Sequence, residues 1–308
     1  MTLATTPRRL EHVVSSEQFD RELLDDIFAR ADRLAGHRDT RLAGRIMATL
    51  FYEPSTRTRL SFESAMLRLG GSVVGTEAAR EFSSAIKGET LEDTIRMVSE
   101  YADLIVLRHD QAGAAARAAA VARVPVVNAG DGPGEHPTQA LLDLYTIRSE
   151  LGTAEGVHIA FCGDLRFGRT VHSLAQLLSL HPGVRMSFVA PEVIQVGTDV
   201  RARMAAAGVP CRLTERLDEV IDSVDVVYQT RVQKERFADL GDFEAARRAI
   251  RIDAAVMLAL PQGAIVMHPL PRVDEIATEV DADPRAAYFR QARNGVAIRM
   301  ALLDLLLG

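Results

Sequence analysis

The sequence predicts an α/β protein of two domains, each a parallel β-sheet flanked by helices, with its site in the cleft between them. Three observations carry this expectation. Short apolar runs bounded by glycine, proline or polar residues alternate with runs of helical period, the pattern of βα units. The alternation occurs twice, on either side of a polar, glycine-containing stretch at 150–156. The 308 residues are long for one compact core and suit two domains of roughly 150 residues each.

Ser16 opens a helical pattern carried by Phe19, Leu23, Ile27 and Leu34 and closed by Gly36. Ile46–Phe51, apolar and bounded by Gly44 and Pro54, reads as a buried strand. Phe62, Ala65, Met66 and Leu69 then fall on one face of a helix that Gly70-Gly71 ends. Ser55-Thr56-Arg57-Thr58-Arg59 therefore sits at a strand-to-helix turn, where free backbone N–H groups and the helix dipole favour an anion. Its hydroxyls and guanidiniums make a phosphate cradle without a Walker glycine loop. An N-cap with solvated arginines is the simpler alternative; consecutive polar donors behind Pro54 favour the phosphate site.

Ser72-Val73-Val74 reads as a second strand, 81–90 as polar and irregular, and Leu91, Thr94, Ile95 and Val98 as one helix face. Leu104–Leu107 is a strand that delivers Arg108-His109. An alanine-rich helix leads to the strand Val124–Val127, a glycine-rich loop Asn128–Glu135, and His136-Pro137-Thr138-Gln139, where Pro137 marks a helix start. Ligands of parallel sheets bind beyond the carboxyl ends of the strands. Arg57, Arg108 and His136 all arrive at that edge.

In the second series the expected strands are Val157–Cys162, Val184–Val189, Val224–Tyr228 and Ala264–Met267. Gly163-Asp164-Leu165-Arg166-Phe167-Gly168-Arg169 does not fit G-x-G-x-x-G, and no acidic residue ends the next strand to hold a ribose. Arg169 at a helix mouth suits a carboxylate better. A basic cluster, Tyr228–Arg236, leaves the third strand, and the prolines of His268–Arg272 turn backbone carbonyls outward after the fourth. Tyr288–Leu307 is a long amphipathic helix.

Composition excludes several classes. Hydrophobic residues make up 47% and charged residues 25%, the balance of a soluble globular chain. No apolar run is long enough to span a membrane, and the start lacks the pattern of a secretory signal. Cys162 and Cys211 read as buried thiols of a reducing cytoplasm rather than a disulfide. No metal site, cofactor, Ser-His-Asp pattern or paired carboxylates are expected. A net charge of −6 speaks against a general nucleic-acid surface. Two donor-rich edges without a protein nucleophile fit direct transfer between two bound anionic reactants, catalysed by positioning and electrostatics.

Ser55-Thr56-Arg57-Thr58-Arg59, His136-Pro137-Thr138-Gln139 and His268-Pro269-Leu270-Pro271-Arg272 together strongly resemble the aspartate/ornithine carbamoyltransferase family. Lys87-Gly88-Glu89-Thr90, Arg108-His109, Gly168–Leu174 and Thr230–Arg236 extend the resemblance over essentially the whole chain. It implies transfer of the carbamoyl group of carbamoyl phosphate to L-aspartate, an early committed step of pyrimidine biosynthesis. Residues 1–150, with the C-terminal helix 285–308 packing back on them, would bind carbamoyl phosphate, and 151–284 would bind aspartate. Ser55, Thr56, Arg57 and Thr58 would hold the phosphate, and Thr58, Arg108 and His136 would polarise the carbamoyl oxygen. Gln139 and the carbonyls of Leu270 and Pro271 would orient the carbamoyl NH2. Lys87, Arg169, Arg231 and Gln233 would bind aspartate, the two arginines gripping its carboxylates. Ser83 (or adjacent Ser84) and Lys87 would come from a neighbouring subunit of a homotrimer, with a regulatory chain or dihydroorotase as further partners left open. Ile86 stands where some relatives have a second lysine.

Glu53 and Arg59 read as structural partners rather than ligands. An ornithine carbamoyltransferase is the nearest alternative, but the His-Cys-Leu-Pro and Ser-Met-Gly segments expected of it are absent and Arg231 suits a dicarboxylate. An inactive member serving as an assembly scaffold is the alternative of another class, disfavoured by the intact set Arg57, Thr58, Lys87, Arg108, His136, Arg169 and Arg231.

Overall fold

The computed structural model describes residues 10–77, 88–232, 239, 241, 243 and 250–308. The chain divides into two compact units, one drawn from Met1–Gln18, Ile27–Pro137 and Arg299–Gly308, the other from Phe19–Asp26 and Thr138–Ile298. Helix α1 (Arg21–Leu34) has residues in both. It starts later than the apolar spacing suggests because Asp20 is its cap, accepting the Leu23 N–H at 2.9 Å. Ser16 lies instead in a single 3-10 turn, its N–H donating to Glu135 at 2.7 Å.

The first unit contains β1 (Ile46–Phe51), α2 (Thr56–Arg68), β2 (Ser72–Glu77), α3 (Leu91–Val98), β3 (Leu104–His109), α4 (Ala114–Val121) and β4 (Val126–Asp131). Its sheet has the order β2-β1-β3-β4, with every pairing parallel. The inner strands are buried apolar runs, while edge strand β2 is largely exposed. Phe62, Ala65 and Met66 of α2, its C-cap Leu69, and Leu91, Ile95 and Val98 of α3 are buried; each large side chain contributes about 1.5–3 kcal/mol of burial. Strand β4 runs on through Asn128-Ala129-Gly130-Asp131, which sequence alone assigns to a loop. A shift of register between Leu107 and His109, with Gly130 at φ 115°, accommodates that extension. The last turns of the C-terminal segment also belong here: Asp304 pairs with Arg30 at 2.7 Å and Arg41 at 2.9 Å.

The second unit contains most of α5 (Pro137–Leu151), then β5 (His158–Cys162), α6 (Arg169–Leu178), β6 (Arg185–Val189), α7 (Thr198–Ala206), β7 (Cys211–Thr214), β8 (Val226–Gln229), α8 (Ala254–Ala259), β9 (Ile265–Met267) and much of α9 (Tyr288–Leu307). Its parallel sheet has the order β7-β6-β5-β8-β9. Edge strand β7 is absent from the sequence reading: Arg212 and Leu213 are exposed and the run is short, so no buried period marks it. Phe161 stacks on Phe188 at 5.5 Å and meets Tyr228 edge-on at 5.7 Å, filling one face of the central strands.

Candidate active site

Within the first unit, β1, β3 and β4 are neighbours in the sheet, and the segments leaving their carboxyl ends carry the expected residues. After β1, Ser55 is the N-cap of α2 and Thr56, Arg57 and Thr58 form its first turn. Ser55 makes no side-chain cap, so the opening N–H groups have no intrahelical or capping partner. The hydroxyls of Ser55, Thr56 and Thr58 and the Arg57 guanidinium make no hydrogen bond or ion pair among the described residues. Arg59 differs. It pairs with Glu63 at 2.8 Å and also with Glu77, so it is held as a structural partner. The hydrogen bond to Glu63 raises its pKa, whereas desolvation by nearby protein lowers that of Arg57, exposed though Arg57 is.

Arg108 lies opposite Phe51 in the β1–β3 pairing, and its carbonyl accepts the Tyr52 N–H at 2.9 Å, which brings it beside the turn into α2. Its guanidinium donates to the Ala129 carbonyl at 3.1 Å and pairs with Glu53 at 2.7 Å. Glu53 is therefore engaged as an ion-pair partner of Arg108, one of the residues expected at the site. His136 is buried at the end of a loop held by Asp131. The Asp131 carboxylate accepts the Glu135 N–H at 2.7 Å and the Gly113 N–H at 2.9 Å.

Within the second unit, β5, β8 and β9 are neighbours, and they deliver Arg169, Arg231 and the Leu270-Pro271 turn. Arg169 opens α6 and is half-buried, as is Arg231 just beyond β8. The turns bearing them abut, because the Thr230 N–H donates to the Cys162 carbonyl at 2.8 Å and its hydroxyl to the same carbonyl at 3.0 Å. The Leu270–Pro271 peptide is cis, and Leu270 has φ 56°, a conformation few leucines adopt. The Leu270 N–H donates to His268 Nδ1 at 2.8 Å, and His268 Nε2 donates to Glu275 at 2.7 Å, which fixes the neutral tautomer. Burial would raise the Glu275 pKa, but the His268 hydrogen bond and backbone N–H donors prevail and hold it down at about 2.

Gln139, on the first turns of α5, donates through Nε2 to Asp143 at 2.8 Å. Asp143, Gln291, Glu275 and Asp131 escape the sequence reading. One signal existed: Asp143 is a charge four residues after Gln139 inside the apolar run Ala140–Tyr145. Ser83, Ser84, Lys87 and Gln233 lie outside the described residues. Among the described residues, no group of His, Cys, Asp or Glu side chains is arranged to hold a metal ion, and no helix is long and apolar enough to cross a membrane.

Comparison with known proteins matches both halves of the chain. Residues 11–149 match the carbamoyl-P binding domain, and residues 155–306 the Asp/Orn binding domain, of aspartate/ornithine carbamoyltransferase. The chain is 57% identical over 304 residues to the aspartate carbamoyltransferase, chloroplastic, of Arabidopsis thaliana, covering 97% of this chain and 78% of the relative. It is 50% identical to the aspartate carbamoyltransferase catalytic subunit of Methanocella arvoryzae, covering 97% of both. Among solved structures it resembles the Trypanosoma cruzi aspartate transcarbamoylase in complex with carbamoyl phosphate and aspartate, with 48% identity, a TM-score of 0.90 and 97% of each chain covered.

Proposed function

Because the chain belongs to the aspartate/ornithine carbamoyltransferase family, we propose that it transfers the carbamoyl group of carbamoyl phosphate to the amino group of L-aspartate, giving N-carbamoyl-L-aspartate and phosphate. The observation that carries this reading is the opening of α2. There Ser55, Thr56 and Thr58 keep their hydroxyls and Arg57 its guanidinium unengaged by the described residues, beside free helix N–H groups. Such a set fits a phosphate dianion.

In this reading Arg57 also stabilises the charge that grows on the departing phosphate, while Thr58, Arg108 and His136 donate to the carbamoyl oxygen and draw electrons from the carbon under attack. Gln139 and the carbonyls of Leu270 and Pro271 accept from the carbamoyl NH2. Arg169 and Arg231, aided by Gln233, hold the two carboxylates of aspartate. Aspartate reacts as its free amine, the ammonium proton having gone to solvent; as the C–N bond forms and the carbamoyl C–O bond breaks, the second amine proton passes to the departing phosphate. By role we assign residues 1–150 with the C-terminal segment 285–308 to carbamoyl phosphate and 151–284 to aspartate, although 138–151 and 288–298 belong to the second compact unit.

Ser83 and Lys87 come from a neighbouring subunit of a homotrimer. Leu60 and Leu67, on one face of α2, and Val74 of β2 are 55%, 62% and 48% exposed, which supports a self-association surface in the first unit. The free thiols Cys162 and Cys211 support a reducing compartment such as the cytoplasm, although the plant relatives are named as chloroplastic.

The reaction is tested by giving purified protein carbamoyl phosphate with L-aspartate or L-ornithine and following phosphate release. Release with aspartate alone is expected; none with aspartate overturns the reading. Arg231→Ala should raise the KM for aspartate far more than that for carbamoyl phosphate, and equal losses would refute the division of roles.

A further inference from the structure

Asp143 is fully buried on α5 and is the meeting point of a hydrogen-bond network within the second unit. Its Oδ1 accepts from Gln139 Nε2 at 2.8 Å and from Gln291 Nε2 at 2.6 Å, and its Oδ2 accepts from the Tyr228 hydroxyl at 2.6 Å. Gln291 in turn accepts the His268 N–H at its Oε1 at 2.9 Å, and His268 Nδ1 accepts the Leu270 N–H at 2.8 Å. Donors therefore run one way, from the Leu270 turn through His268 and Gln291 to a single carboxylate.

The direction is dictated by chemistry. An ionised carboxylate can only accept, whereas a glutamine amide carries a donor end and an acceptor end of nearly equal size. Each glutamine must turn its NH2 to Asp143. Gln139 Oε1 is thereby aimed the other way, where it makes no hydrogen bond among the described residues. Gln291 Oε1 is likewise presented to the His268 N–H. Without the buried charge the Gln139 amide could reverse at little cost, whereas Gln291 is also held by the His268 N–H at its Oε1.

We propose that Asp143 is a positioning residue that fixes Gln139 and, through Gln291 and His268, the Leu270 turn as hydrogen-bond acceptors, and so makes the site select an NH2-bearing acyl phosphate. The proposal rests on the carbamoyl-transfer reading. A site lined with acceptors rewards the carbamoyl NH2 and gives nothing to the methyl group of acetyl phosphate, which is otherwise the same size and charge.

The test compares the intact enzyme with Asp143→Asn. An asparagine amide can donate, so Gln139 is free to turn its NH2 toward the substrate. The KM for carbamoyl phosphate should rise about tenfold or more, the size of one misdirected hydrogen bond. The competitive inhibition constants of acetyl phosphate and inorganic phosphate should move by less than about twofold, since neither uses those acceptors. A parallel rise in all three constants would overturn the proposal, because it would mean general damage to the site. Tyr228→Phe removes a donor from the other carboxylate oxygen and leaves both glutamines anchored. It should lower the melting temperature without changing the ratio of the carbamoyl phosphate KM to the acetyl phosphate constant, and a change as large as that of Asp143→Asn would also overturn the assignment. Should Asp143→Asn not fold, Gln291→Met decides: a smaller rise of the same ratio is expected, and an unchanged ratio refutes the relay. If the parent enzyme itself releases no phosphate with aspartate, the carbamoyl-transfer reading has failed instead.

Discussion

Arg57 and Arg59 stand in the same helical turn and have different work. Arg59 is engaged by Glu63 and Glu77, while Arg57 has no partner among the described residues. Arg57→Ala should therefore cut kcat/KM by roughly a hundredfold to a thousandfold, the range for losing one preorganised donor to a developing anion, with little change in melting temperature. Arg59→Ala should leave turnover close to that of the parent and cost at most about 1 kcal/mol, since its ion pairs are partly solvated. Steady-state kinetics alongside thermal melts of the two variants separate these outcomes. Glu275 gives a pH dependence at the same scale. Its folded pKa of about 2 lies below the value of 4.5 for an ordinary glutamate. A depressed carboxylate stabilises the fold above the unfolded pKa, and that contribution fades as pH falls from about 4.5 toward 2. Glu275→Gln should lose stability at pH 7 and flatten this part of the acid limb in denaturant titrations; an unchanged slope would show that the pair with His268 does not set it.

At the scale of elements, function depends on how closely strand ends approach. Gly163, at φ 99°, follows β5, and a Cβ there would lie 2.3 Å from the Thr230 carbonyl oxygen. Gly163→Ala should destabilise the second unit by about 1–3 kcal/mol through the disfavoured backbone, with further cost from the clash, and should push Thr230 and Arg231 away from their place. A lower melting temperature with a raised KM for aspartate is expected, and an unaltered KM would show that the contact does not position Arg231. The same scale explains what was legible in the sequence. Interior strands β1, β3 and β5 are each built on a mainly apolar buried run, so their ends, and with them Arg57, Arg108 and Arg169, could be located from pattern alone. Strand β7 could not, because an edge strand with Arg212 and Leu213 exposed carries no buried period. The continuation of β4 through Asn128 and Gly130 has the sequence pattern of a loop because turn-forming residues there serve a bulged, buried strand. The Asp143 network was invisible for another reason. Gln139, Tyr228, His268 and Gln291 come from distant parts of the chain, and only folding places their donors on one carboxylate.

At the scale of the whole molecule, the proposed homotrimer makes a demand that a self-contained chain would not. Leu60, Leu67 and Val74 expose apolar surface on α2 and β2, and such surface on a parallel-sheet unit is costly unless another copy covers it. Leu67→Asp should therefore dissociate the assembly in sedimentation velocity and reduce turnover with it. If Lys87 then serves a neighbour's site while Arg57 serves its own chain, Arg57→Ala and Lys87→Ala variants are each deficient for different reasons. When the two are mixed and reassembled, some sites combine an intact Arg57 with an intact Lys87 from the adjoining subunit. Random pairing around a closed ring places about a quarter of all sites in that state. Recovery of about that share of the parent rate is the expected result. Mixtures no more active than the separate variants would show that Lys87 acts within its own chain, and the shared-site arrangement would have to be abandoned even if the protein proved trimeric.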